Sequence, residues 1–159
     1  MAREGLFSSL GAAVEGARVL DLYAGTGAMA IEALSRGAAH AVLVERNRLA
    51  LRTIRENLER TRLADRAEVI GADVTRMLMG DDKSGGDFDL VLADPPYDAP
   101  GDEVDAVLAG LAAGRLATSG WMVALTRPKG APEPNLPVHW HAARRLSYGD
   151  TLVQIFQEA

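Results

Sequence analysis

The sequence predicts an α/β domain, a mostly parallel seven-stranded sheet with one antiparallel edge strand and helices on both faces. Three observations carry that prediction. Short apolar runs such as Ala41-Val42-Leu43-Val44 and Leu90-Val91-Leu92-Ala93 alternate with segments whose apolar residues fall at helical spacing. Glycines and prolines stand between them as breakers. The last two segments, 138–146 and 151–157, alternate like an antiparallel pair around Tyr148-Gly149-Asp150.

The elements follow in order. Arg3 to Leu10 reads as a short amphipathic helix with Leu6, Phe7 and Leu10 on one side, closed by Gly11. Residues 1–16 then precede a first strand at 18–23, a tight turn at Gly25-Thr26-Gly27 and a helix to Arg36, where Gly37 stops it. A second strand covers 39–45. Ala50, Leu51, Ile54 and Leu58 mark a helix over 47–61, and 66–70 is a third strand. Asp81 to Asp87, with Gly85-Gly86, reads as a surface loop and a candidate for local disorder. A fourth strand at 87–92 runs into Asp94-Pro95-Pro96-Tyr97. A helix over 101–116, a strand over 120–127 and a proline-rich turn over 128–137 lead to the closing pair.

Composition bounds the function. A chain of 159 residues, 48% hydrophobic, fits one domain with a single sizeable core, so 1–159 is read as one unit. Its apolar runs fall far short of the roughly 20 residues of a membrane span, and no basic-then-apolar leader precedes them, so a soluble cytoplasmic protein without membrane contact is expected. Cysteine is absent, which excludes disulfides, thiolate catalysis and thiolate metal sites. His40, His139 and His141 give no metal spacing, and His139 and His141 read as a pair on one face of an edge strand. No metal is expected.

Charge is uneven around a net −5. Residues 46–66 hold seven arginines against Glu56, Glu59 and Asp65, while 81–105 hold nine acids against Lys83. The arginines read either as a solvated helix face, with Arg52/Glu56 and Arg55/Glu59 at i,i+4 spacing, or as a nucleic-acid face.

The strand-turn-helix at 19–34 is a nucleotide-binding unit. Two glycines let backbone approach a ligand, and the free N–H groups of the following helix offer partial positive charge. A dinucleotide fingerprint would read G-x-G-x-x-G, whereas Gly25-Thr26-Gly27-Ala28-Met29-Ala30 does not. The carboxylate of Asp21 opposes a phosphate and suits an ammonium group. S-adenosylmethionine has an ammonium, a carboxylate, a sulfonium and a ribose but no phosphate. Glu45, 18 residues past Gly27 (45 minus 27) at the end of the second strand, stands where a carboxylate accepts two ribose hydroxyls. Asp73 either accepts from the adenine amine or caps the next short helix.

Asp94-Pro95-Pro96-Tyr97 follows the fourth strand, in the crevice where open α/β sheets bind ligands. Two prolines remove two backbone donors, so the Asp94 carboxylate and the Pro95 carbonyl present acceptors only, a fit for an NH2 group. Tyr97 offers a flat face for stacking. An exocyclic amine is a poor nucleophile until acceptors hold its hydrogens and aim its lone pair, so Asp94 is the expected orienting group.

Asp21-Leu22-Tyr23-Ala24-Gly25-Thr26-Gly27 resembles the first motif of the Rossmann-like, class I S-adenosylmethionine methyltransferases. With Asp94-Pro95-Pro96-Tyr97 the order of motifs resembles the D/N-P-P-Y amine N-methyltransferases. Arg3-Glu4-x-Leu6-Phe7 and Tyr148-Gly149-Asp150-Thr151 narrow the resemblance, over essentially the whole chain, to the RsmD family, which methylates N2 of a guanine in 16S ribosomal RNA. The resemblance implies S-adenosylmethionine bound by Asp21, Tyr23, Ala24, Gly25, Thr26, Gly27, Glu45, Arg46, Asp73 and Val74, and catalysis by Asp94, Pro95, Pro96 and Tyr97. It implies 16S rRNA or the assembling small subunit as partner, and a monomer. Members usually carry some tens of residues, partly basic, before Arg-Glu-x-Leu-Phe, an extension this chain is expected to lack. Rival readings are an amine methyltransferase acting on DNA adenine or protein glutamine, and a non-catalytic adenosyl-binding module.

Overall fold

The computed structural model describes residues 2–80 and 86–159. The expected loop at 81–87 therefore falls largely outside the described residues. Among the described residues five α-helices, α1 (Ala2–Leu10), α2 (Ala28–Ser35), α3 (Arg48–Arg60), α4 (Val74–Met79) and α5 (Gly101–Ala112), surround seven strands. The strands are β1 (Arg18–Leu22), β2 (His40–Glu45), β3 (Ala67–Gly71), β4 (Leu90–Ala93), β5 (Met122–Pro128), β6 (Trp140–Tyr148) and β7 (Thr151–Glu158). Their order across the sheet is β3-β2-β1-β4-β5-β7-β6. β3, β2, β1, β4 and β5 pair parallel, and β7 pairs antiparallel with both β5 and β6. The reversed strand is thus β7, lying between β5 and the edge strand β6.

Near-continuous apolar runs form the central strands because both faces of the sheet are covered. Alternation along each strand sorts the side chains between two cores. Val19 of β1, Leu43 of β2, Leu90 and Leu92 of β4 and Ile155 of β7 pack with Leu6, Phe7, Leu34 and Ile54 from α1, α2 and α3. The residues between them, Leu20, Leu22, Val42, Val44 and Val91, pack with Leu78, Leu108 and Leu111 from α4 and α5. Among the described residues, no helix is long and apolar enough to cross a membrane.

Two motif pieces distant in sequence meet in the first core. Gly5 of α1 lies under Tyr148, so closely that an added Cβ would stand 2.3 Å from the tyrosine oxygen. The open position in Arg3-Glu4-x-Leu6-Phe7 is small because the aromatic ring of the closing hairpin lies over it.

One local expectation is corrected. His139 is left-handed (φ 72°) and precedes β6, so it does not share a strand face with His141. On α3, Arg52, Arg55, Glu56 and Glu59 are all exposed at the i,i+4 spacing read from the sequence, and neither Arg52/Glu56 nor Arg55/Glu59 is an ion pair among the described residues.

Candidate cofactor and substrate site

Register fixes where the site opens. Leu22 of β1 aligns with Val44 of β2 on one side and Ala93 of β4 on the other. The next residues, Tyr23, Glu45 and Asp94, therefore leave three adjacent strands at one level. Strand order reverses between β1 and β4, which is where connections diverge to opposite faces and leave a crevice. A cavity of about 430 Å³ opens there, lined by Tyr23, Glu45, Arg46, Asp73, Val74, Asp94 and Pro96 together with Asp98, Pro100 and Glu103.

The glycine turn borders this crevice. Gly25 (φ 60°) and Gly27 (φ 83°) are left-handed. An added Cβ on Gly25 would meet no protein atom within 4 Å, whereas one on Gly27 would stand 3.3 Å from a Leu43 methyl. Gly25 keeps the ligand side of the turn open, and Gly27 lets α2 approach the sheet. Gly27 is also the N-cap of α2 and has no side chain to cap with. Asp21 supplies the acceptor: its Oδ2 takes the Ala30 N–H at 3.1 Å. Asp21 is only 3% exposed and lies beneath the turn, outside the cavity lining. Burial pushes its carboxyl well above the usual range; the Ala30 bond opposes this, and the charges of Asp94 and Glu45 add to it. Ala24 and Thr26 shape the turn without lining the cavity, and the Thr26 carbonyl accepts from Asn57 of α3 at 3.0 Å.

Glu45 ties the turn to the end of β2. Its Oε1 accepts from the Gly25 N–H at 2.8 Å, and its Oε2 from the N–H groups of Arg46 (3.1 Å) and Asn47 (2.9 Å). A carboxylate has about four acceptor sites, so three are occupied and one, on Oε1, is left for a ligand. The expected pair of ribose hydroxyls finds one free acceptor site here.

Asp73 is the N-cap of α4. Its Oδ2 accepts from the Thr75 hydroxyl and from the Arg76 N–H at 3.2 Å, while Oδ1 stands 3.5 Å from the Arg46 guanidinium. The Thr75 bond leads in holding its carboxyl below the ordinary value. At the other end of α4, Arg115 donates to the carbonyls of Met77 (2.8 Å) and Gly80 (3.2 Å), fixing the helix that carries this wall.

Tyr23 has φ 61°, a left-handed conformation that costs a non-glycine residue about 1–2 kcal/mol. The cost is offset where its hydroxyl donates to Glu103 Oε2 at 2.7 Å, and burial, with that acceptor beside it, raises the phenol above its usual range. Glu103 and Asp98 were missed by sequence reasoning. Glu103 shows only as an acid in the first turn of a helix, 80 residues from Tyr23, and nothing local says that it faces the cavity.

Asp94 is exposed where it opens to the cavity, and partial desolvation there pushes its carboxyl up. Pro95 is buried and Tyr97 is 70% exposed. The Pro96 carbonyl is taken by the Ala99 N–H (2.9 Å) and by Arg127 (3.5 Å). Among the described residues the Pro95 carbonyl accepts no hydrogen bond, and Asp94, unlike Pro95, lines the cavity. Five carboxylates (Glu45, Asp73, Asp94, Asp98, Glu103) and one guanidinium (Arg46) line the cavity, a balance that opposes phosphate and suits a cationic ligand. Among the described residues, no group of acids or histidines is arranged to hold a metal.

A family model described as conserved hypothetical protein 95 matches residues 1–157. The ribosomal RNA small subunit methyltransferase D of Escherichia coli is 31% identical over 160 residues, covering 98% of this chain and 75% of that protein. The YlbH protein of Bacillus subtilis is 39% identical over 95 residues, covering 60% of this chain and 52% of that protein, about half its length. Among solved structures, the Escherichia coli protein yhhF superposes with TM-score 0.88 at 26% identity, over 99% of this chain and 86% of that one.

Proposed function

Because the chain belongs to the conserved hypothetical protein 95 family, the RsmD family, we propose that it methylates the exocyclic N2 amine of a guanine in 16S ribosomal RNA, using S-adenosylmethionine and acting as a monomer in the cytoplasm. The observation that carries this reading is the meeting of Asp94 with Glu45 and Tyr23 at one level, in one acid-rich cavity, with two prolines that cannot donate directly following Asp94. The small-subunit assignment draws on the relative from Escherichia coli.

S-adenosylmethionine supplies a methyl group on a sulfonium. The chain's own residues do the rest. Glu45 offers its remaining acceptor site to a ribose hydroxyl, the walls around Asp73 and Val74 hold the base, and the Gly25 turn leaves room for the amino acid portion. Negative charge from Glu103 and Asp98 in the cavity wall favours the cationic cofactor over its neutral product. Asp94 and the Pro95 carbonyl accept the two hydrogens of the guanine amine, and Tyr97 stacks on the ring. With the cofactor bound, its methyl would pass from sulfur to the amine nitrogen as the carbon–sulfur bond breaks, and the amine would lose a proton. Asp94, whose carboxyl is already pushed up, is the nearest acceptor for it.

The same amine-holding geometry would serve an adenine or a glutamine amide, so the substrate must be identified directly. Small-subunit particles and naked 16S RNA lacking the modification are incubated with the protein and methyl-labelled cofactor, and the labelled base is mapped. Label on N2 of one guanine is expected. Label on adenine, on protein alone, or on nothing would overturn the assignment.

A further inference from the structure

Arg127 lies at the end of β5, is 8% exposed, and is not needed by the sheet as a cation. Its strand neighbour on the same face, Leu125, is apolar and packs in the second core. Among the described residues Arg127 forms no ion pair. Burying a guanidinium with no carboxylate is costly unless hydrogen-bond acceptors compensate. Those acceptors are two carbonyls of one segment: Ala99 accepts at 3.0 Å and Pro96 at 3.5 Å.

That segment is the one that follows Asp94. Prolines at 95, 96 and 100 remove three backbone donors, so it has few tethers of its own. The Asp94 N–H reaches the Leu22 carbonyl at 3.4 Å, and the Ala99 N–H closes a turn onto Pro96 at 2.9 Å. Tyr97 and Asp98 form the tip. Arg127 grips both ends of this turn from the neighbouring strand.

We infer that Arg127 is a positioning residue, whose buried guanidinium holds the Pro96–Ala99 turn in the pose that aims Asp94 and Tyr97 at the substrate amine. The inference rests on Asp94 being the amine acceptor. It differs from a general stabilising role, because the effect runs through the segment's conformation and spares the cofactor walls at Glu45 and Asp73.

The test compares wild type with Arg127→Gln and Arg127→Lys. Hydrogen exchange over 94–100 reports only Asp94, Tyr97, Asp98 and Ala99, since prolines carry no amide. Exchange there is expected to quicken at least fivefold in Arg127→Gln, with S-adenosylhomocysteine affinity by calorimetry and KM for RNA each within about threefold of wild type. The kcat per folded molecule should fall 10- to 100-fold, and Arg127→Lys, which can still reach one carbonyl, should recover part of it. Wild-type exchange over 94–100 in Arg127→Gln overturns the inference. So does unchanged kcat per folded molecule, or a loss confined to thermal stability. If Arg127→Gln does not fold, the same readouts on Arg127→Lys decide the matter. A wild-type protein that methylates no RNA would sink the proposed activity alone, and the exchange comparison would still decide whether Arg127 holds the turn.

Discussion

Replacing Glu45 by Gln separates two duties that one carboxylate performs. The amide keeps the shape but turns one oxygen into a donor. If the NH2 group takes the Oε2 place, it opposes two N–H groups, those of Arg46 and Asn47; in the Oε1 place it opposes only Gly25. The second orientation is therefore preferred, and it removes the acceptor site left for the ligand. Opposing one partly buried donor costs about 1–3 kcal/mol, and two charge-assisted bonds become neutral ones. Because the site is open to water, a net loss of about 2 kcal/mol is expected, a fall in Tm of roughly 4–8 °C. Losing one charge-assisted bond to a ribose hydroxyl costs about 1.5–3 kcal/mol, roughly a 10- to 150-fold weaker Kd. Urea denaturation measures the first and calorimetry with S-adenosylhomocysteine the second. Lower stability with unchanged Kd would mean that Glu45 only ties backbone. Unchanged stability would refute the hydrogen-bond reasoning itself.

Asp94 must be ionised to take a proton from the amine, and desolvation raises its pKa. The kcat should therefore fall as pH drops, with a midpoint above the ordinary Asp value of about 3.9. In a kcat profile, Asp94→Asn should lose that acidic limb while keeping more activity than Asp94→Ala, because its amide oxygen still accepts. An unmoved limb in Asp94→Asn would assign the titration elsewhere. Gly5→Ala should destabilise the fold by about 1–3 kcal/mol through overpacking on Tyr148. In a Tyr148→Ala background the helix preference of Ala over Gly should make the same change neutral or favourable. Equal cost in both backgrounds, by urea denaturation, would show that the tyrosine is not the obstacle.

The fold was legible because each central strand is an apolar run bounded by breakers, and because the reversed pair announces itself by alternation. Tyr23, Glu45, Asp73 and Asp94 were legible for a related reason. Tyr23, Glu45 and Asp94 end or follow buried runs and Asp73 follows the half-buried edge strand β3, so a polar group there faces solvent at the carboxyl edge of the sheet. Asp21 was read as a ligand group from its place in the motif, but capping depends on Gly27 having no side chain, a relation visible only once α2 closes over the strand. Glu103 and Arg127 were illegible as site residues. Both act across connections of 28 residues or more, at 80 from Tyr23 and 28 from Ala99, and one-dimensional periodicity carries no information at that range. His139 was misread because its left-handed backbone leaves no mark in the sequence.

The two-sided core also orders events during synthesis. Leu6 and Phe7 share a core with Val153 and Ile155, and Arg144 of β6 donates to the Ser9 carbonyl, 135 positions away. Contacts of such separation close late, since a long loop must be restrained before they form. The face on which α2 rests is thus incomplete until β7 has left the ribosome and paired with β5. The second core needs residues 20–125 for most of its packing and can gather earlier. A nascent chain would pass through a stage in which the floor beneath the glycine turn is still open to water, so competence to bind nucleoside should arise abruptly with the last strand and not grow with chain length.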